Sequence, residues 1–166
     1  MLQTAEFWIE KLKLMPHPEG GYFREIYRSN EIISKNCLPG RYSGERCFST
    51  SIYFLLKAGE VSKFHRIKSD EIWHFYSGVS VIICIISEKG EYREITLGSE
   101  AENGQVFQCV VEKGNWFGAK IDKSRGYALV GCTVAPGFDF TDFELAEKNK
   151  LLNDYPDLSE IIEILT

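Results

Sequence analysis

The sequence predicts an all-β fold, an antiparallel sandwich or jelly-roll barrel with helices flanking it at both ends. Short apolar segments recur between residues 20 and 137 at roughly the 8–12-residue spacing of such sheets, with glycines between them. Helical periodicity is missing over the same span, which argues against a doubly wound α/β chain. Helix signals are confined to the two flanks.

Thr4 is placed to cap a first helix carrying Phe7, Trp8, Ile9 and Leu12 on its apolar side. Pro16 and Pro18 stop it, and Glu19-Gly20-Gly21 makes a turn. A strand is expected over Tyr22–Arg28, with Tyr22, Arg24, Ile26 and Arg28 on one face. Residues 29–44 read as a polar loop punctuated by Pro39-Gly40. Strands are then expected at 47–56, 62–67, 71–76, 80–86, 93–97, 105–111, 116–119 and 127–133. Thr141-Asp142-Phe143-Glu144 fits a capping box for a helix through Leu145, Leu151 and Leu152, and Pro156-Asp157 opens a last helix. No repeat or linker divides the chain, so one domain over 1–166 is expected, with the barrel at about 20–137 and a helical tail at 141–166.

With 44% hydrophobic and 13% aromatic residues in 166, the chain can bury a proper core and is not disordered. A net charge of -5 and the lack of a basic run disfavour a nucleic-acid partner. Five cysteines without a C-x-x-C pair suggest reduced thiols rather than a disulfide framework. The amino terminus lacks a basic-then-apolar secretion signal, and the longest apolar run is Val81–Ile86. A cytoplasmic protein without a membrane partner is therefore expected.

The chemistry concentrates in the segment from Gly59 to Gly78, which reads G-x5-H-x-I-x3-E-x6-G with His65, Ile67 and Glu71 at the named positions. On a two-residue period His65 shares a face with Ile67, and Glu71 shares one with Trp73 and Phe75. This segment resembles the first motif of the cupin superfamily, G-x5-H-x-H-x3/4-E-x6-G, with Ile67 in place of the second histidine. Together with Pro18-Glu19-Gly20-Gly21-Tyr22-Phe23-Arg24-Glu25 and the run from Ala128 to Phe140, it resembles an uncharacterised cupin-like "domain of unknown function" subgroup. The resemblance implies a double-stranded β-helix, similar in fold to rhamnose-pathway epimerases and seed storage globulins, and a homodimer. It also implies that His65 and Glu71 point into the barrel.

The second cupin motif is degraded: Phe117 stands where the resemblance calls for a histidine. Two remaining donors are fewer than the three or four protein ligands of common metal sites, so no cofactor is expected. If a metal is bound, its ligands would be His65, Glu71 and His74, although a straight strand turns residues three apart to opposite faces. The expected ligand is a small polar metabolite held in the barrel. Its expected turnover is a metal-independent isomerisation or epimerisation, with His65 as base, Glu71 as its partner and Tyr53 as a proton donor. Arg24 is expected to anchor an anionic end, and Trp73, His74 and Trp116 to contact the ligand. His17, between two prolines, reads as a surface residue. A non-catalytic binding or sensing protein and a metal-dependent cupin enzyme are the alternatives.

Overall fold

The computed structural model describes residues 3–166. Thr4 does cap α1 (Ala5–Leu12), its hydroxyl accepting from the Phe7 amide at 3.2 Å. The short β1 (Met15–Pro16) leads through the turn at Glu19 into β2 (Tyr22–Arg28). Within the expected loop, β3 (Ile32–Ile33) forms a small ribbon with β4 (Arg46–Cys47). Then come β5 (Thr50–Lys57), β6 (Val61–Arg66), β7 (Asp70–Gly78), β8 (Val81–Ile86), β9 (Tyr92–Leu97) and β10 (Gln108–Val111). The main strands end with β11 (Trp116–Lys120) and β12 (Tyr127–Ala135).

Two antiparallel sheets face one another, in the orders β1-β2-β5-β12-β7-β10 and β13-β6-β11-β8-β9, where β13 is Glu144–Leu145. They do not close into one continuous barrel. Between them lies the main core, with Phe54, Trp73, Ile83, Ile85, Phe117 and Val130 interdigitating. The outer face of the six-stranded sheet is covered by α1, which packs Trp8, Ile9 and Leu12 on Leu55 and Leu129. Over the outer face of the five-stranded sheet, α2 (Lys148–Asp154) and α3 (Ser159–Ile164) bring Leu151, Ile161 and Ile162 onto Phe64, Cys84 and Ile86. Burial on both faces explains why β8 is apolar at every position rather than alternating: Ile83 and Ile85 face inward, Cys84 and Ile86 face the helices.

The expected capping box does not form. Asp139 instead caps a short 3-10 turn at Phe140–Asp142, its carboxylate accepting from the Thr141 amide at 2.8 Å. Glu144 and Leu145 then pair with β6, and helix begins only at Lys148. Tertiary pairing with an available sheet edge outweighs the local helix signal there.

Candidate functional site

Between β1 and β2 the chain crosses the start of β6 so closely that only glycine fits. Gly20 has φ +111°, and a Cβ there would run into the carbonyl oxygen of Val61. The Lys63 amide donates to the Glu19 carbonyl at 2.8 Å, which ties the crossing to β6. This clamp drives the Glu19 side chain inward, where it is buried and its Oε1 accepts from the Ser62 hydroxyl at 2.8 Å.

A bulge in β6 then sets the geometry. The β6–β11 register slips between the Phe117–His65 and Ala119–Ser62 pairs, so Ser62 and His65, three residues apart, both reach Glu19. His65 Nδ1 lies 2.7 Å from the Lys63 carbonyl, an acceptor, so Nδ1 carries the proton. His65 Nε2, left as an acceptor in the neutral ring, is 3.2 Å from Glu19 Oε2. On the other side, His17 Nδ1 accepts from the Glu19 amide at 3.3 Å and also lies 3.3 Å from Glu19 Oε2. Glu19 Oε2 is therefore flanked by two imidazole nitrogens that their other hydrogen bonds make acceptors. The carboxyl itself must hold the shared proton, or pass it to one of the rings.

The electrostatics agree. Burial raises the Glu19 carboxyl to about 7, against the opposing pull of His17 and the Ser62 hydrogen bond. Burial likewise depresses both imidazoles, His65 against the pull of Glu71 and of the Lys63 carbonyl, His17 against the pull of Glu19. Glu71, also buried, is raised by burial to about 7 despite nearby His65. The Cys132 thiol and Trp73 indole nitrogen favour its ionised form, although the indole nitrogen makes no hydrogen bond of standard geometry. Two carboxyls and two imidazoles thus share one desolvated space.

That space is a cavity of about 80 Å³ that Glu19, His65 and Glu71 line from the inner end. Its walls are Phe23, Ile52 and Phe54, and Phe138 and Phe140 lie across it. Phe117 and Phe143 flank the His65 ring, with centroids at 4.1 and 5.3 Å. The segment holding Phe138, Phe140 and Phe143 is pinned by a buried bidentate ion pair, Arg46 to Asp142 at 2.6 and 2.7 Å. At the rim a second bulge matters. The β2–β5 register slips between Glu25 and Tyr27, so Arg28 turns to the inner face beside Glu25. Arg28 donates to Glu25 in a fork at 3.0 and 2.7 Å and to the Phe138 carbonyl at 3.2 Å.

Of the residues expected from sequence, the structure brings His65 and Glu71 to this cavity and places the others elsewhere. Glu19, not Glu71, is within hydrogen-bond reach of His65. Tyr53 lies on the opposite face of β5, under α1 with Tyr22 and edge-on to Tyr76. Arg24 lies on the same outer side and donates to the Leu12 carbonyl at 3.0 Å. His74 faces outward to the Thr133 hydroxyl at 3.2 Å, because no bulge falls between Glu71 and His74. Trp116 packs under α2 and α3 beneath the Arg66 guanidinium. Trp73 is a core side chain stacked edge-on against Phe54, beside Glu71 rather than on the cavity wall. His17, read as a surface residue, is inside. Glu19, His17 and Arg28 are the residues that sequence reasoning missed. The close pair Gly20-Gly21 was the one signal of an unusually tight crossing.

The donor set does not fit a tightly held divalent ion. Ile67 and Phe117 are buried, apolar core residues where the motif would place imidazoles, and His74 is turned away. Among the described residues no group of three or more His, Cys, Asp or Glu side chains has metal-holding geometry.

Comparison with known proteins follows the same lines. The family model Cupin_5, described as cupin superfamily (DUF985), matches residues 6–146. Uncharacterized protein YML079W of Saccharomyces cerevisiae is 30% identical over 144 residues, which cover 81% of this chain and 71% of the yeast protein. Among solved structures, protein SO0799 from Shewanella oneidensis superposes with a TM-score of 0.90 at 40% identity, covering 99% of this chain and 98% of its own. A hypothetical protein from Leishmania major gives 0.90 at 34%, with 99% of both chains covered. Oxalate decarboxylase from Bacillus subtilis superposes at 0.54 and 18% identity over 91% of this chain and 36% of its own, a likeness of fold alone.

Proposed function

The chain belongs to the Cupin_5 family of the cupin superfamily (DUF985), and from that premise we propose that its cavity is an acid–base site for a small polar metabolite. The reaction is a proton shift at a carbon next to a carbonyl, the step common to isomerisation and epimerisation. One observation carries this reading: Glu19 Oε2 sits 3.2 Å from His65 Nε2 at the end of a desolvated cavity that Glu71 also lines.

The proton held between Glu19 and His65 is the acid, and ionised Glu71 is the base. Glu71 takes the proton as the C–H bond breaks, and the electron pair moves onto the carbonyl oxygen. The Glu19–His65 proton passes to that oxygen, giving a neutral enol. Glu71 then gives its proton to the neighbouring carbon, or loses it to the solvent that protonates the other face, while an enol hydroxyl returns its proton to the Glu19–His65 pair. Both carboxyls are thereby restored. Two carboxyls raised to about 7 populate the required pair of protonation states near neutral pH.

The test is hydrogen exchange in D2O. Small hydroxy-carbonyl and oxo compounds, charged and uncharged, are incubated with the protein, and loss of the acidic C–H signal is followed by NMR. Exchange is expected with the wild-type chain and is expected to fall about 100-fold or more in a folded His65→Asn variant. Exchange that proceeds equally well in that variant, or none for any compound of the series, removes acid–base turnover.

A further inference from the structure

Among the described side chains lining the cavity, Arg28 is the sole arginine or lysine. Its guanidinium is oriented before any ligand arrives. The bulge between Glu25 and Tyr27 turns it to the inner face, and the Phe138 carbonyl accepts from one terminal nitrogen at 3.2 Å. The remaining fork, Nε and the other terminal nitrogen, is filled by both oxygens of Glu25 at 3.0 and 2.7 Å. That is the geometry with which arginine reads a carboxylate. Yet the pair sits at the rim with 45% and 38% of its side chains exposed. Exposed pairs of this kind contribute little to stability, and Glu25 is only three residues away in sequence, so no distant element depends on the contact.

We propose that Arg28 anchors the carboxylate of a small ligand, and that Glu25 is the chain's own carboxylate competing for the same fork. A short hydroxy- or oxo-carboxylate would exchange with Glu25 at the rim and direct its carbon end past Phe138 toward Glu71 and Glu19. A second carboxylate at the inner end is disfavoured, because two carboxyls already line it and no cation does. The preferred ligand class is therefore a small monocarboxylate with an uncharged polar far end. The direction in which the ligand lies rests on the acid–base reading; the anchor itself is a matter of binding alone.

The experiment titrates acetate, its neutral isostere acetamide and inorganic phosphate into the full chain at low ionic strength, read from amide shifts in nitrogen–proton NMR spectra. Replacing Glu25 by Gln should tighten acetate up to about five-fold, since an exposed pair is a weak competitor. Acetamide should not respond to that change. Arg28→Gln should weaken acetate about ten-fold or more. Arg28→Lys keeps the charge but not the fork, should weaken acetate less, and carries the test if Arg28→Gln does not fold. Acetate binding as well to Arg28→Lys as to wild type, or no gain from Glu25→Gln, overturns the anchor. Phosphate gaining from Glu25→Gln as much as acetate overturns the carboxylate assignment. Because the readout is binding, loss of carbon-proton exchange in His65→Asn with acetate affinity unchanged separates the anchor from the catalytic reading.

Discussion

Glu19 is the residue on which the proposed chemistry turns, and its carboxyl is defined by its neighbours more than by its own type. Ser62 donates to one oxygen, and two imidazole nitrogens that already accept or lack a proton crowd the other. A glutamine at this place can still accept from Ser62 and donate to His65, but it cannot give up a proton. Glu19→Gln should therefore leave the fold and ligand contacts in place and reduce carbon-proton exchange about 100-fold. Activity at wild-type level in that variant would mean Glu19 only holds His65 in position. His65 and Glu71 were legible in the sequence because they fall at fixed spacing within one strand–turn–strand segment. Glu19 and His17 were not, since a Pro- and Gly-rich turn states its local shape and not the strand it crosses. Sequence singles out Arg24 and not Arg28 as the anion anchor for a related reason. Two-residue parity places them together, and the bulge that separates them leaves no mark in residue type.

At the scale of elements, the site depends on irregularities in otherwise regular strands. The glycine crossing at Gly20 delivers Glu19, the bulge in β6 aims Ser62 and His65 together, and the bulge in β2 delivers Arg28. Gly20→Ala tests the first of these. Its positive φ and the contact with Val61 leave no room for a methyl group, so the change should cost about 1–3 kcal/mol of stability in a denaturant melt. It should also move Glu19 away from His65, and an undisturbed His65 resonance would count against the clamp. The main strands and both flanking helical regions were legible from apolar spacing, the breakers and the Thr4 cap, while β1, the β3–β4 ribbon and β13 were not. The segment after Asp139 was not: its capping-box residues are used by a 3-10 turn and an edge strand because β6 offers unpaired backbone there.

For the molecule as a whole, enclosing two carboxyls at about 7 has a stability signature. The folded values lie above the ordinary 4.5. Below 4.5 the carboxyls are neutral in both folded and unfolded chains, and their favourable contribution is fully present. As the pH rises toward 7 the unfolded chain releases protons that the folded chain keeps, so that contribution is lost through the window from 4.5 to about 7. The depressed imidazoles His17 and His65 act in the opposite sense, contributing above 6.5 and losing that contribution as the pH falls. Replacing Glu71 isolates one group from this balance, although His65, Glu19, Cys132 and Cys109 all feel its charge. The melting temperature of Glu71→Gln relative to wild type should rise from pH 5 to about pH 7 and level off above it. A difference independent of pH would place Glu71 in ordinary ionised form. The packing of the helices on opposite outer faces is visible only in the structure, whereas the all-β fold with helices at both ends of the chain followed from the apolar spacing that the sequence displays. The cavity between the sheets did not, since its size and its contents depend on side chains brought together from β2, β5, β6, β7 and β12.

The most direct test of the proton-sharing cluster is an NMR titration of the intact chain, following the carboxyl carbons of Glu19 and Glu71 and the ring nitrogens of His65. Both carboxyls should titrate near 7, with His65 a neutral ring protonated at Nδ1 above that pH. Carboxyls titrating near 4.5 beside a His65 that protonates near 6.5 would contradict it, leaving an ordinary buried ion pair where the acid–base site is proposed.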